Sequence, residues 1–264
     1  MIDTLKQAVH KQIEEVQEIS ALDQERSEQL RFKSLKTQTF FGREIELERI
    51  EEYINDESNR PFIVHGVSGI GKSSFVAKAI DQTEEALRHT VAYRFIGATA
   101  SSSNTRTLLE SLINDLAEQK VLELPESLEE DNNKFNQQVK ELLATIEQPT
   151  VIVLDALDQL QQKDYIQWLP LELPSNLKII LSMLDQKGYE HYYDLLKNKL
   201  DKVNQLSMER LNDDAATKTL KRLLEKEERS LTDEQFDYTM EKFRDSNSSP
   251  LYLKIAFEEI KTWK

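Results

Sequence analysis

Apolar residues along this chain follow two alternating periods. Ile2, Leu5, Val9, Ile13 and Val16 lie three to four positions apart, one face of a helix, in a stretch to about residue 36 almost free of Gly and Pro. That face suits packing on its own domain or contact with a partner. "FFGREIELERIEEYI" then reads as a turn and an amphipathic helix bearing Ile45, Leu47, Ile50 and Ile54. Pro61 opens a short apolar strand, Phe62–His65, and Lys72 to about Ile80 reads as the next helix. Val91–Gly97 is a second strand, followed by the polar loop "ATASSSN" and a helix from Thr105 to about Glu118 with leucines and isoleucines on one side. The acidic loop "ELPESLEEDNN" leads to a helix at about Lys134–Ile146.

Val151–Leu154 is a continuous apolar run, the mark of a central parallel strand buried on both faces. Asn176–Leu184 is a further strand, and Val203–Met208 a short last one. Strands alternating with helices predict a parallel α/β sheet. After Met208 the strand pattern stops. Three helices follow, with Asn212 and Thr232 at N-cap positions and acids in the first turn. The expected organisation is an N-terminal helical segment (1–37), an α/β domain (38–208) and a small all-α domain (209–264).

Composition narrows the chemistry. There are no cysteines, so disulfides and thiolate metal sites are excluded, and the four histidines lack the spacing of a zinc enzyme. A net charge of −14 gives no global basic footprint for nucleic acid, which makes a nucleic-acid partner unfavoured. No apolar run is long enough for a membrane span and the N-terminus lacks a signal-peptide core, so no membrane partner and a cytoplasmic location are expected.

Against that background one cluster stands out. The chain has six glycines, and three lie in Gly66-Val67-Ser68-Gly69-Ile70-Gly71-Lys72-Ser73, followed by Ser74. This fits GxxxxGK[ST] between an apolar strand and a helix. Backbone amides of such a loop cradle a polyphosphate, and side chains other than hydrogen would block the approach. Lys72 is then expected to neutralise the β- and γ-phosphates, and the Ser73 hydroxyl to hold Mg²⁺. Asp155 ends the apolar strand at its C-terminal edge, the place of a second metal-holding acid. Asp158 is a candidate to orient the attacking water, or alternatively to cap a following helix. Ala156 stands where P-loop ATPases more commonly have Glu, so slow hydrolysis is expected. "NKLD" (Asn198–Asp201) and "DQKG" (Asp185–Gly188) imitate guanine-nucleotide motifs, but "YYDLLK" before the first looks helical and the two lie too close together. Both read as chance, and the expected nucleotide is ATP or ADP.

With these pieces placed, the chain resembles the STAND class of P-loop ATPases, closest to its nephrocystin and telomerase-associated-protein branch. "FFGREIELERIEEYI" looks like the segment preceding the P-loop there, "YRFIGATASSS" like the second strand and serine-rich loop, "VIVLDALDQL" like its Walker B, and "SSPLYLKIAFEEI" like the Pro-containing start of its lid. The likeness covers about Thr39 to Lys264. It implies that Phe41, Gly42 and Arg43 lie near the adenine and ribose, although Phe40 and Phe41 also suit a core. It implies that Pro250 packs on the nucleotide, although a proline at a helix start also serves the helix alone. Ser182 falls at the sensor position following the fourth strand. Met183 and Leu184 stand where many relatives have an arginine, which a neighbouring subunit would then supply.

The class carries effector domains before the ATPase and winged-helix and repeat domains after it. The chain is therefore expected to be an isolated ATPase core, a split gene or a truncated chain. The expected function is an ATP-binding, slowly hydrolysing switch in signalling or defence. In it, the Mg-ATP state moves the lid and controls self-association or binding of other protein domains. The alternatives are a DNA-acting AAA+ ATPase of the origin-binding or clamp-loader type and a non-hydrolysing nucleotide-bound adaptor.

Overall fold

The computed structural model describes residues 21–38, 40, 42–86, 88–161 and 165–262. The expected apolar face from Ile2 to Val16, and Phe41, lie outside them. Five parallel strands form one sheet: β1 (Phe62–Gly66), β2 (Thr90–Phe95), β3 (Thr150–Asp155), β4 (Leu177–Leu184) and β5 (Gln205–Ser207), in spatial order β2-β3-β4-β1-β5. Every residue of β1, β3 and β4 is buried, the polar His65, Thr150, Asp155, Lys178 and Ser182 along with their apolar neighbours. Gly97 falls just past β2 rather than in it, since β2 ends at Phe95. β5 keeps only three of the expected residues, because Lys202–Asn204 form a 3₁₀ turn before it.

Helices cover both faces. In chain order they are α1 (Ala21–Thr37), α2 (Glu44–Asn55), α3 (Lys72–Glu85), α4 (Thr105–Glu118), α5 (Asn132–Ala144) and the short α6 (His191–Leu196). Leu47, Ile50 and Ile54 of α2 are buried, but Ile45 is 73% exposed and leaves the expected apolar face. Leucines of α4 and Val139 and Leu143 of α5 pack on one side of the sheet, and α2 and α3 on the other.

Three helices follow the sheet: α7 (Asp213–Lys226), α8 (Asp233–Asp245) and α9 (Pro250–Ile260). They close on a core of their own around Leu220, Leu223, Phe243, Leu253 and Phe257. Asn212 caps α7 by accepting from the Ala215 amide. Thr232 and Gln235 form a reciprocal capping box on α8.

The edge strand β2 is closed by α1 through polar groups. The Phe95 N–H donates to Gln29 Oε1 at 2.7 Å, and Gln29 Nε2 donates to the Phe95 carbonyl at 3.3 Å. One side-chain amide thus bonds both outward backbone groups of Phe95, at the end of this edge strand. Lys33, four residues on, reaches Asp81 at 3.0 Å and also Glu84, both on α3.

Candidate functional site

β1 ends at Gly66 and the chain turns through Val67–Gly71 into α3. Gly66 lies so close to the segment after β5 that an added Cβ would stand 2.9 Å from the Met208 carbonyl oxygen. The Met208 amide in turn donates to the His65 carbonyl at 2.8 Å, closing the loop from behind. Gly71, immediately before the helix, has φ +97°, which side-chain-bearing residues adopt only at a cost. These two constraints account for glycine at both ends of the motif. No side chain caps α3. The first-turn N–H groups of Lys72, Ser73 and Ser74 therefore have no intrahelical acceptor and sit where the helix dipole favours an anion.

The Lys72 ammonium lies 2.8 Å from the Gly66 carbonyl and 3.0 Å from that of Val67. Burial lowers its pKa, against the opposing charges of Asp158, Asp155 and Asp185. Asp155, only 2% exposed, closes β3. Burial pushes its pKa up; hydrogen bonds from the Ser182 and Ser73 hydroxyls, and the charge of Lys72, act the other way. Ser182 donates to Asp155 Oδ1 and accepts from the Ala156 amide at 2.8 Å. The expectation that Ser182 follows the fourth strand is corrected: it lies within β4, which runs on to Leu184. From there it bridges to β3 and fixes the Asp155 carboxylate.

Ala156 sits at φ 64°, and the chain continues into the 3₁₀ turn Leu157–Gln159. Among the described residues Asp158 caps no α-helix. Its carboxylate accepts instead from the Leu184 amide at 3.1 Å and from the Gln159 side chain at 2.8 Å. Asp158 nevertheless lines the same cavity as Lys72, Ser73 and Asp155, a space of about 510 Å³.

Arg43 and Pro250 line that cavity too. Arg43 follows Gly42 (φ +77°) and precedes α2; its guanidinium binds Glu46 at 2.7 Å and the Glu209 carbonyl. Pro250 is the first residue of α9. Behind it, Leu251 comes within 3.7 Å of where a Gly69 Cβ would be, so the three-helix unit touches the glycine loop.

Several cavity residues escaped the sequence reading. Phe32 and Lys36 come from α1, Met208 and Leu211 from the segment leaving the sheet, and Lys254 and Phe257 from α9. Pro250, Lys254 and Phe257 sit at helical spacing, a signal that was available once Pro250 had been singled out. "DQKG" also proves structural. Asp185 accepts from His65 Nδ1 at 2.7 Å, and Gln186 Oε1 accepts from the Ser68 amide at 2.8 Å. "NKLD" follows α6 rather than a strand and forms no part of the cavity.

Residues 39–181 match the family described as AAA ATPase domain. The chain belongs to that family. Among curated relatives of this AAA ATPase domain, the NACHT domain- and WD repeat-containing protein 1 of Mus musculus is 27% identical over 260 residues. That alignment covers 94% of this chain and 16% of the relative. The NACHT and WD repeat domain-containing protein 2 of Mus musculus is 28% identical over 219 residues, 77% of this chain and 12% of the relative. The similarity to NACHT proteins is distant, and the chain spans a small part of their length.

Solved structures share the fold. A replication initiator DnaA bound to AMPPCP and single-stranded DNA superposes with a TM-score of 0.52 at 17% identity, over 84% of this chain and 62% of that one. A Walker-type ATPase of Pyrococcus abyssi gives 0.51 at 15% identity, over 81% and 65%. At these identities the likeness extends to the fold alone. Among the described residues no helix of the AAA ATPase domain is long and apolar enough to cross a membrane.

Proposed function

We propose that this chain is an ATP-binding, slowly hydrolysing switch of the STAND type, in which nucleotide bridges the glycine loop and the three-helix lid (209–264). The observation that carries this is the cavity's construction. Its floor is the 68–74 part of the loop with Asp155 and Ser182, and its far wall is α9 with Pro250 and Leu251. A ligand filling it touches both units, so nucleotide state and lid position are coupled.

The donor set fits a metal-bound polyphosphate: one hydroxyl, one carboxylate held against it, one ammonium, and free amides at a helix start. When bound, Mg²⁺ would neutralise charge on the β- and γ-phosphates. Ser73 and Asp155 hold it, and Ser182 keeps the Asp155 carboxylate aimed. Lys72 binds phosphate. Asp158 positions water, with its carboxylate anchored by Leu184 and Gln159; a carboxylate has acceptor sites beyond those two bonds. Phe41, Gly42, Arg43 and Pro250 are assigned to the base and sugar.

Turnover is slow on this reading, because Ala156 offers no carboxylate and Met183 and Leu184 are buried apolar residues. The net charge of −14 favours a protein partner over nucleic acid. ATP must favour one lid position over the other by several kcal/mol, about 5.5 to swing the population from 1:99 to 99:1.

Light scattering with ADP, with a non-hydrolysable ATP analogue and with Lys72→Ala tests the switch. Wild type should change size or assembly between nucleotides, and Lys72→Ala should not. Identical profiles in all states would remove the switch and leave a nucleotide-bound adaptor.

A further inference from the structure

In the sheet, β4 lies between β3, which ends at Asp155, and β1, which leads into the glycine loop. The chain leaving β4 therefore runs between the Asp158 turn on one side and the glycine loop on the other. Three successive residues there, Leu184 at the end of β4 with Asp185 and Gln186 after it, hold both sides. The Leu184 amide donates to Asp158 Oδ1 at 3.1 Å. Asp185 Oδ2 lies 2.7 Å from Nδ1 of His65, the residue before Gly66. Gln186 Oε1 accepts from the Ser68 amide, inside the loop, at 2.8 Å.

The segment making these bonds is itself fixed. The Tyr189 amide donates to the Gln186 carbonyl at 3.0 Å, and Gly188 inside that turn has φ +92°. In "DQKG" the first two residues thus supply the contacts and the last one the turn. Behind them His65, 7% exposed, stacks on Tyr193 of α6 with ring centroids 4.4 Å apart. Ser68, Asp158 and Leu184 all line the cavity. In-line attack on a phosphate held by the loop needs water at a set distance from it, and Asp158 and the loop leave different strands. A misplacement of about 1 Å in such a pair can cost on the order of a hundredfold in rate.

Building on the hydrolysing reading above, we propose that the 184–186 segment is a brace that sets the spacing between Asp158 and the glycine loop, and that Gln186 is its positioning residue on the loop side. Gln186 acts through the Ser68 backbone and touches neither phosphate nor water. The Lys72 ammonium and the N–H groups at the start of α3 come later in the loop and do not depend on the Gln186 bond. Loss of Gln186 therefore loosens the loop against Asp158 while the groups that hold the phosphates stay in place. Its effect falls on turnover rather than on binding.

The test compares the full chain as wild type, Gln186→Met and Gln186→Glu. Three quantities are measured: steady-state kcat and KM for Mg-ATP, the Kd of a non-hydrolysable Mg-ATP analogue, and hydrogen exchange at the Ser68 amide. Gln186→Met matches the side chain in length but lacks the carbonyl acceptor. It should speed exchange at Ser68 and lower kcat about tenfold, with KM and Kd within about twofold of wild type. Gln186→Glu keeps an acceptor at the same reach and should restore both Ser68 protection and most of the turnover. Unchanged kcat in Gln186→Met, or a Kd that rises as much as kcat/KM falls, would overturn this proposal alone. So would a Glu variant that protects Ser68 yet turns over as slowly as the Met variant. A wild type that binds the analogue but hydrolyses no ATP would overturn the brace and leave nucleotide binding standing; one that binds no nucleotide would remove both.

Discussion

A single methyl group at Gly66 would meet the Met208 carbonyl oxygen at 2.9 Å, on a backbone with φ +157°. That neighbour is main chain and cannot swing away. Gly66→Ala should cost about 1–3 kcal/mol in urea unfolding, the range for overpacking, and weaken nucleotide binding by displacing the loop. Ser182 is a different kind of residue, because its hydroxyl both donates to Asp155 and accepts from Ala156. Ser182→Ala leaves a buried carboxylate and an amide each short of a partner, a loss of about 1–3 kcal/mol. The functional signature should be specific: the gain in nucleotide affinity on adding Mg²⁺ should shrink, while metal-free affinity stays put. Equal loss with and without Mg²⁺ would mean that Ser182 does not aim Asp155. At this scale much of the site was legible, since GxxxxGK[ST] and an acid after an apolar strand are local patterns. The bridging of Ser182 to Asp155 was not, because it depends on β4 lying beside β3.

The elements were legible where burial is apolar and obscure where it is polar. β3 announced itself through the continuous apolar run Val151–Leu154, and β4 as a mostly apolar strand that also carries Lys178 and Ser182; both are buried throughout. The inner face of α1 carries Glu25, Gln29 and Lys33, all buried, while Leu30 and Leu35 are about half exposed. Apolar periodicity therefore points to the wrong face of this helix. Its docking rests on partners in β2, in the 99–101 loop and in α3 that no local pattern reveals. Ile45 misled for the reverse reason, an apolar residue at a helix start that faces solvent. Replacing Gln29 by Ala strips the Phe95 N–H of its partner, while the Phe95 carbonyl keeps the Ala98 amide. The expected result is about 1–3 kcal/mol of destabilisation, with faster hydrogen exchange at the Phe95 amide. At α8, Thr232→Ala removes one half of the capping box and should cost about 1 kcal/mol, read as a lower unfolding midpoint for the C-terminal helices.

On the scale of the whole molecule, charge and architecture pull in opposite directions. The chain carries −14 overall, which repels a polyphosphate, yet Lys36, Lys72 and Lys254 with Arg43 all line one cavity. These cations, with the amides of α3, make that cavity the place where the acidic molecule receives an anion. The contacts holding the three-helix unit to the body include exposed ones: Lys226 to the Gln38 carbonyl at 3.0 Å, and Arg222 to Glu44 at 3.8 Å. Exposed pairs of this kind contribute little, about 0–1 kcal/mol each, so on the proposed reading a ligand bridging both units would add appreciably to what holds the lid. Hydrogen exchange along α9 should therefore slow on adding a Mg-ATP analogue. Calorimetric titration of the chain with that analogue, for wild type and Lys72→Ala, tests the central claim most directly. One site that saturates in wild type and is lost in Lys72→Ala is the predicted result; no heat at millimolar nucleotide, or binding indifferent to Lys72, would contradict it.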